Sequence, residues 1–309
     1  MTLNEITPDL AAEEEAVNRI IFDGDLVRVG LFRCRPWHDL FKNDERASDH
    51  HLVFPRTAVI ITHDGYEPVV TDPNTVLFYN KHQTYQREKL SEKGDVCEYF
   101  SFSQEALLDT MRAYDPTVLE RPEKPYPTTH APSDARSYLL QRLVVEHILG
   151  DEPVDALYVQ EAMLSILARI LDNLFPGQRQ EPETAAARRA HADLAHGVKT
   201  ILATRYHESL SLAEMARELY TSPYHLCRVF GEQTGQTIHR YRNQLRLRIG
   251  LTRILEGEED LASLALALGY SSHSHFTRAF RKLFQTTPSA LRRDRAVSLL
   301  DEMSNNLTV

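Results

Sequence analysis

Two short stretches of this 309-residue chain concentrate side chains that make directional bonds to an electron-rich partner. One reads Tyr224-His225-Leu226-Cys227-Arg228; the other reads His273-Ser274-His275, with Arg278 close behind. A guanidinium such as that of Arg228 or Arg278 can give two parallel hydrogen bonds to a pair of acceptors, or can neutralise a phosphate. Imidazoles and hydroxyls donate or accept, and a tyrosine ring offers an apolar face. The front half holds a second set of reactive types: His38, His50, His51, His63 and His82, with Cys34 and Cys97. No pair of those histidines has the tight His-x-His spacing followed by Glu that a metal cage needs, so they read as loop histidines and no metal is assigned. Cys34 and Cys97 both fall in predicted strands, where they are either a redox pair or, as burial favours, inert core thiols. Trp37, Phe41, Phe54, Tyr79 and Tyr85 either line an apolar pocket or fill a core.

Those groups need elements to hold them, and bulk properties limit the choice. Hydrophobic residues make up 42% and charged residues 26%, ordinary for a globular protein. No apolar run approaches the roughly 18 residues of a membrane span, and the acidic start MTLNEITPDLAAEEEAV lacks the pattern of a signal peptide. A cytoplasmic protein without a membrane partner is expected. Three widely spaced cysteines suggest neither a disulfide framework nor a paired-cysteine zinc site. Net charge is −9, but it is unevenly spread: from Arg188 to Arg295, 17 lysines and arginines meet 10 aspartates and glutamates, a balance of +7 that leaves −16 elsewhere. A basic module suited to a polyanion is thus joined to an acidic one.

The residue pattern predicts an α+β chain of two domains. From about 24 to 103, short Val-, Ile-, Phe- and Tyr-rich runs such as LVRVGLFRC, HLVFPRTAVIITH and VCEYFSF alternate with turn residues, which predicts a small β-sandwich or barrel. From about 104 to 175 the period becomes helical. Leu139, Leu143, Val144 and Ile148 are expected on one stripe, and Leu157, Leu164, Leu167, Ile170, Leu171 and Leu174 on another. Residues 1–175 form the first domain, 176–189 a Pro-, Gly- and charge-rich linker, 190–295 an all-α domain, and 296–309 a tail that frays.

Within 190–295 the sequence repeats itself at a separation of about 50 residues. SLAEMARELYTSPYHLCRVFGEQTG, Ser211 to Gly235, and DLASLALALGYSSHSHFTRAFRKLFQ, Asp260 to Gln285, each read as a short helix, a tight turn and a longer helix. Ser211 with Glu214 predicts a capping box, and Ser222-Pro223 a cap followed by a first-turn proline. Ala216 and Ala265 stand where the paired helices cross. The turn favours a residue that tolerates positive φ; Gly269 supplies it in the second copy, and Tyr220 occupies the equivalent place in the first. Thr237 to Glu256 predicts one helix of on the order of 30 Å, close to the roughly 34 Å between like grooves of B-DNA.

Residues 190–295 resemble the AraC/XylS transcription regulators, most specifically through LALALGYSSHSHFTRAFRKLFQTTPSALRR, and in the first copy through AREL, SPYHLCRVF and Thr234-Gly235. The resemblance implies a double helix-turn-helix domain in which the second, longer helix of each copy enters the major groove of double-stranded DNA. It then implies DNA-binding roles for Tyr224, His225, Cys227 and Arg228, and for His273, Ser274, His275 and Arg278. Arg228 and Arg278 either read guanine edges or contact phosphate. Arg246, Arg248, Arg253, Arg281, Lys282, Arg292 and Arg293 are expected as phosphate-positioning or solvated charge. The front half, through VFPRTAV and DPNTVLFYN, is similar to the cupin-like effector and dimerisation domains that precede this module. A small-molecule effector, a homodimer joined through the helices at about 134–175, and RNA polymerase follow as expected partners. No catalytic residue or cofactor is assigned. Two other readings stay open: a regulator controlled by protein partners or abundance, and a cupin-like enzyme fused to a DNA-binding module.

Overall fold

A computed structural model describes residues 18–41, 44–177 and 184–293. The acidic start, the whole of the expected tail and the centre of the expected linker lie outside the described residues. The chain divides into two compact units, Met1–Gly150 with Ala162–Gln180, and Asp151–Glu161 with Glu181–Val309.

Among the described residues the first unit has ten strands: β1 (Asn18–Asp23), β2 (Val27–Cys34), β3 (Glu45–Arg46), β4 (His51–Pro55), β5 (Val59–His63), β6 (Val69–Thr71), β7 (Thr75–Tyr79), β8 (Thr84–Lys89), β9 (Asp95–Phe102) and β10 (His130–Pro132). They form two sheets, ordered β1-β2-β9-β4-β7-β10 and β3-β8-β5-β6, and their pairs are antiparallel. The strand alternation explains the layers. On β9, Cys97 and Tyr99 turn toward Cys34, Val53, Val59, Ile61, Leu77 and Tyr79 in one core cluster, against which Phe32 and Tyr85 pack. The intervening Glu98 and Phe100 face the other way, where Glu98 meets Arg142 and Phe100 lies edge-on to Phe54. No strand pairing joins the two sheets among the described residues. The described strands thus form a two-sheet stack followed by helices, the sandwich of the two alternatives the sequence offered, and no closed barrel is present among the described residues. β8 escaped the sequence reading because TYQREK is polar; its one fully inward residue is an arginine, Arg87.

The helices are α1 (Gln104–Arg112), α2 (Ala135–Leu149) and α3 (Ala156–Leu174), the last passing from residues of the second unit into residues of the first. Leu157, Leu164, Leu167, Ile170 and Leu171 are buried along α3, while Leu174 of the same expected stripe is only half-buried. On α2 the expected stripe splits: Val144 and Ile148 are buried, but Leu139 and Leu143 are 56% and 51% exposed. At about 100° per residue, positions four apart share a face, whereas 139 and 148 fall on opposite sides of the helix.

The second unit is helical: α4 (Ala185–Arg205), α5 (Leu212–Glu218), α6 (Pro223–Thr234), α7 (Ile238–Leu255), α8 (Leu261–Ala267), α9 (His273–Phe284) and α10 (Pro288–Arg293). Each start is marked by a side chain that satisfies otherwise orphaned N–H groups. Ser211 and Glu214 close the capping box of α5, while Ser222, Thr237 and Ser272 cap α6, α7 and α9. Ala195, Val198 and Leu202 of α4 are buried together with Leu212, Met215, Leu226, Val229 and Phe230. Leu247, Leu264, Ala265, Leu268, Phe276 and Phe280 form the core of the second half.

Candidate nucleic-acid interface

The two repeats make the same turn. In the first, the Tyr220 N–H donates to Arg217 O (3.2 Å) and the Thr221 N–H to Ala216 O (2.9 Å); in the second, Gly269 donates to Leu266 O (2.9 Å) and Tyr270 to Ala265 O (3.0 Å). Both pivots are left-handed, with φ 52° at Tyr220 and 81° at Gly269. Tyr220 accepts that backbone because its side chain stands 98% exposed and meets no obstruction. Gly269 has no such freedom: a Cβ there would lie 2.3 Å from the His207 carbonyl oxygen. The crossing alanines are 1% and 0% exposed, so a larger side chain would part the helices. The connecting helix α7 spans about 27 Å at 1.5 Å per residue. Gly250 lies within it because a Cβ would come 2.8 Å from Leu268 and 3.2 Å from Phe276.

The longer helices of the two repeats, α6 and α9, present different surfaces. On α9, His273, Ser274 and Arg278 are exposed, and the Phe276, Phe280 and Phe284 stripe packs behind them. His275 is half-buried, edge-on to the Tyr270 ring at 5.2 Å, and burial lowers its pKa. Arg278 pairs with Glu152. On α6, Tyr224 is 6% exposed and belongs to the core. The Cys227 thiol points toward Glu161 at 3.8 Å, and burial, with that carboxyl beside it, pushes its pKa up. The Arg228 guanidinium donates to Glu232 at 3.0 Å and lies 3.2 Å from His225 Nδ1, with its side chain 11% exposed. The apolar pattern of α6 assigns only Leu226, Val229 and Phe230 to packing. The structure adds Tyr224 and the thiol of Cys227, because this helix is flanked on more than one side.

Two arginines of α7 are structural. Arg246, expected as phosphate-positioning or solvated charge, is 7% exposed and donates to the carbonyls of Tyr206 (2.5 Å), Gly269 (3.0 Å) and Glu208 (3.0 Å). It ties the end of α4 to the turn of the second repeat, and burial lowers its pKa to about 10. Arg242 is 2% exposed and pairs with Asp155. A periodic reading cannot find such residues, since Arg248 beside them is chemically identical.

Two buried or half-buried carboxylates from 151–161, Glu161 and Asp155, complete this unit. Glu161 accepts from the Ile238 N–H (2.8 Å) and the His239 N–H (2.7 Å), the first free donors of α7, and it is 3% exposed. Asp155 pairs with Arg242 and lies 3.5 Å from His239 Nε2. Burial raises the Asp155 pKa, but Arg242 and His239 outweigh it and hold the carboxyl below its usual range. For Glu161 burial wins over both N–H donors, and its pKa rises to about 7. None of these carboxylates carried a sequence signal.

Residues 215–294 match the family described as Helix-turn-helix domain. The C-terminal unit thus carries a helix-turn-helix domain. An uncharacterized HTH-type transcriptional regulator of Staphylococcus aureus (strain COL) is 26% identical over 221 residues, 71% of this chain and 28% of that protein. The HTH-type transcriptional regulator GlxA of Rhizobium meliloti is 36% identical over 90 residues, 29% of this chain and 28% of its own. The chain thus spans little more than a quarter of the length of these curated relatives. A solved AraC-type regulator from Chromobacterium violaceum overlays 37% of this chain and 98% of its own at 24% identity, with a TM-score of 0.32, too loose to bear on side-chain roles.

In the first unit, a groove of about 240 Å³ is lined by Arg19, Leu31, Arg33, Arg56, Val96 and Glu98. Arg56 lies 3.4 Å from Glu98, which also pairs with Arg142. Trp37 is 67% exposed and so takes no part in an enclosed aromatic pocket. Phe54 packs against Phe100, whereas Phe41, Tyr79 and Tyr85 belong to the cluster between the sheets, with buried Cys34 and Cys97. Burial raises the pKa of both thiols. Among the described residues no three His, Cys, Asp or Glu side chains are grouped to hold a metal, and no helix is long and apolar enough to cross a membrane.

Proposed function

We propose that this chain is a sequence-specific, DNA-binding transcription regulator, with a front unit that is a cupin-like effector and dimerisation module. The single observation that carries the DNA reading is the repeated turn. Two helix-turn-helix units with matching hydrogen bonds are held by one helix whose length suits successive major grooves. Arg278, His273 and Ser274 are the proposed groove contacts of the second repeat, with His275 at their edge. In the first repeat Arg228 and His225 take that role, while Tyr224 and Cys227 serve the packing that aims the helix. The +7 balance of this region supplies the attraction to phosphate.

The exposed Leu139–Leu143 pair on α2 supports a homodimer, because an apolar pair one turn apart is the kind of surface that helices bury against each other. The guanidinium-lined groove supports a small carboxylate-bearing effector over an uncharged one. Transcription regulation further implies RNA polymerase as a partner and a cytoplasmic location.

The test is to select duplexes from a random-sequence library with the full chain and titrate the winner against salt. Affinity should fall steeply between about 50 and 200 mM salt. Arg278→Ala should cost about 1–3 kcal/mol at one base position and flatten preference there. An affinity indifferent to salt would overturn the DNA reading, and a loss spread evenly over all sequences would reduce Arg278 to a phosphate contact.

A further inference from the structure

The segment Asp151–Glu161 lies outside the matched domain, yet it is fastened to the second unit at four places. It contains Asp151, Glu152, Asp155 and Glu161 and no basic residue. Glu161 accepts the first N–H groups of α7, Asp155 pairs with buried Arg242, and the Tyr158 ring lies 5.1 Å from that of His239. These three contacts hold the segment in place. The fourth reaches the DNA-facing side, where Glu152 pairs with Arg278.

We propose that Asp151–Glu161 is an acidic strap that competes with DNA for the second recognition helix, with Glu152 standing where a phosphate or base acceptor must go. The chemistry is an exchange of acceptors on one guanidinium. Carboxylate, phosphate and guanine edge all accept paired N–H bonds from arginine, so Arg278 cannot serve Glu152 and DNA in full at the same time. The buried contacts of Asp155 and Glu161 anchor the strap. The Glu152 pair is exposed, 40% on one side and 66% on the other, and is therefore the part weak enough to open.

The proposal rests on the DNA reading, and the experiment separates the two. Full-length wild type, Glu152→Gln, Arg278→Ala and the double variant are titrated with a fluorescein-labelled duplex enriched from a random-sequence library. Glu67→Gln, an exposed carboxylate of the first unit, controls for loss of one negative charge. Glu152→Gln should tighten binding about two- to fivefold, as expected for releasing an exposed ion pair. The gain should vanish in the Arg278→Ala background, and Glu67→Gln should not reproduce it. Equal tightening in both backgrounds, the same gain in Glu67→Gln, or no gain at all would overturn the strap. Failure of wild type and all variants to bind any duplex would refute the DNA reading, and the strap with it. Unchanged helical circular dichroism confirms that the variants are folded.

Discussion

Replacing Glu161 by glutamine should change how the stability of the helical unit depends on pH. Its carboxyl is 3% exposed, accepts two N–H groups at the start of α7, and faces the Cys227 thiol, with His239 and Arg242 nearby. Burial dominates and raises its pKa from 4.5 to about 7. The folded state therefore holds the proton more tightly than the unfolded chain. That contribution is fully present below the unfolded value of 4.5 and is lost as pH rises through about 7. Two and a half decades of proton affinity amount to about 3 kcal/mol, an order-of-magnitude figure. Glutamine is neutral at every pH and can still accept one of the two N–H groups. Relative to Glu161→Gln, the wild type should lose about 3 kcal/mol of stability between about pH 5 and 8. Urea unfolding of the full chain, followed by helical circular dichroism, measures this. Trp37, the sole tryptophan, belongs to the first unit, so its fluorescence reports that unit in the same samples. A difference between wild type and variant that stays constant with pH would refute the reasoning and place Glu161 in wetter surroundings.

The paired turns offer a test of opposite signs. Tyr220→Gly should stabilise by about 0.5–1 kcal/mol, because relief of left-handed strain exceeds the extra freedom glycine brings to the unfolded chain. Gly269→Ala should destabilise by more than about 2 kcal/mol, since strain is joined by collision with the His207 carbonyl and displacement of Arg246. Urea unfolding checks both, and equal effects at the two sites would contradict the geometry. For α2, Leu139→Glu with Leu143→Glu should convert the proposed dimer to monomers in analytical ultracentrifugation while leaving the fold intact. A double variant that sediments as the wild type does would refute the proposed interface.

The helical domain was legible in the sequence because its determinants are local. Capping pairs such as Ser211–Glu214, the Phe276–Phe280–Phe284 stripe and the pivot positions 220 and 269 lie within a few residues of what they control. The front sheets were less legible. β8 hides its inward position under Arg87, which donates to Leu40 O and Tyr85 Oη and pairs with Asp95, a satisfaction visible only once those strands meet.

What the sequence by itself determined was the repeat, its turns, its caps and the connecting helix, since hydrogen bonds and steric limits between near neighbours decide them. Only the tertiary structure decided which charged side chains are framework and which are exposed. Arg242 meets Asp155 across 87 positions, Ile238 meets Glu161 across 77, and Arg246 gathers carbonyls 40 and 23 positions away. No periodicity encodes such partners. A buried charge survives only where its partners converge, and convergence over that distance belongs to the folded chain.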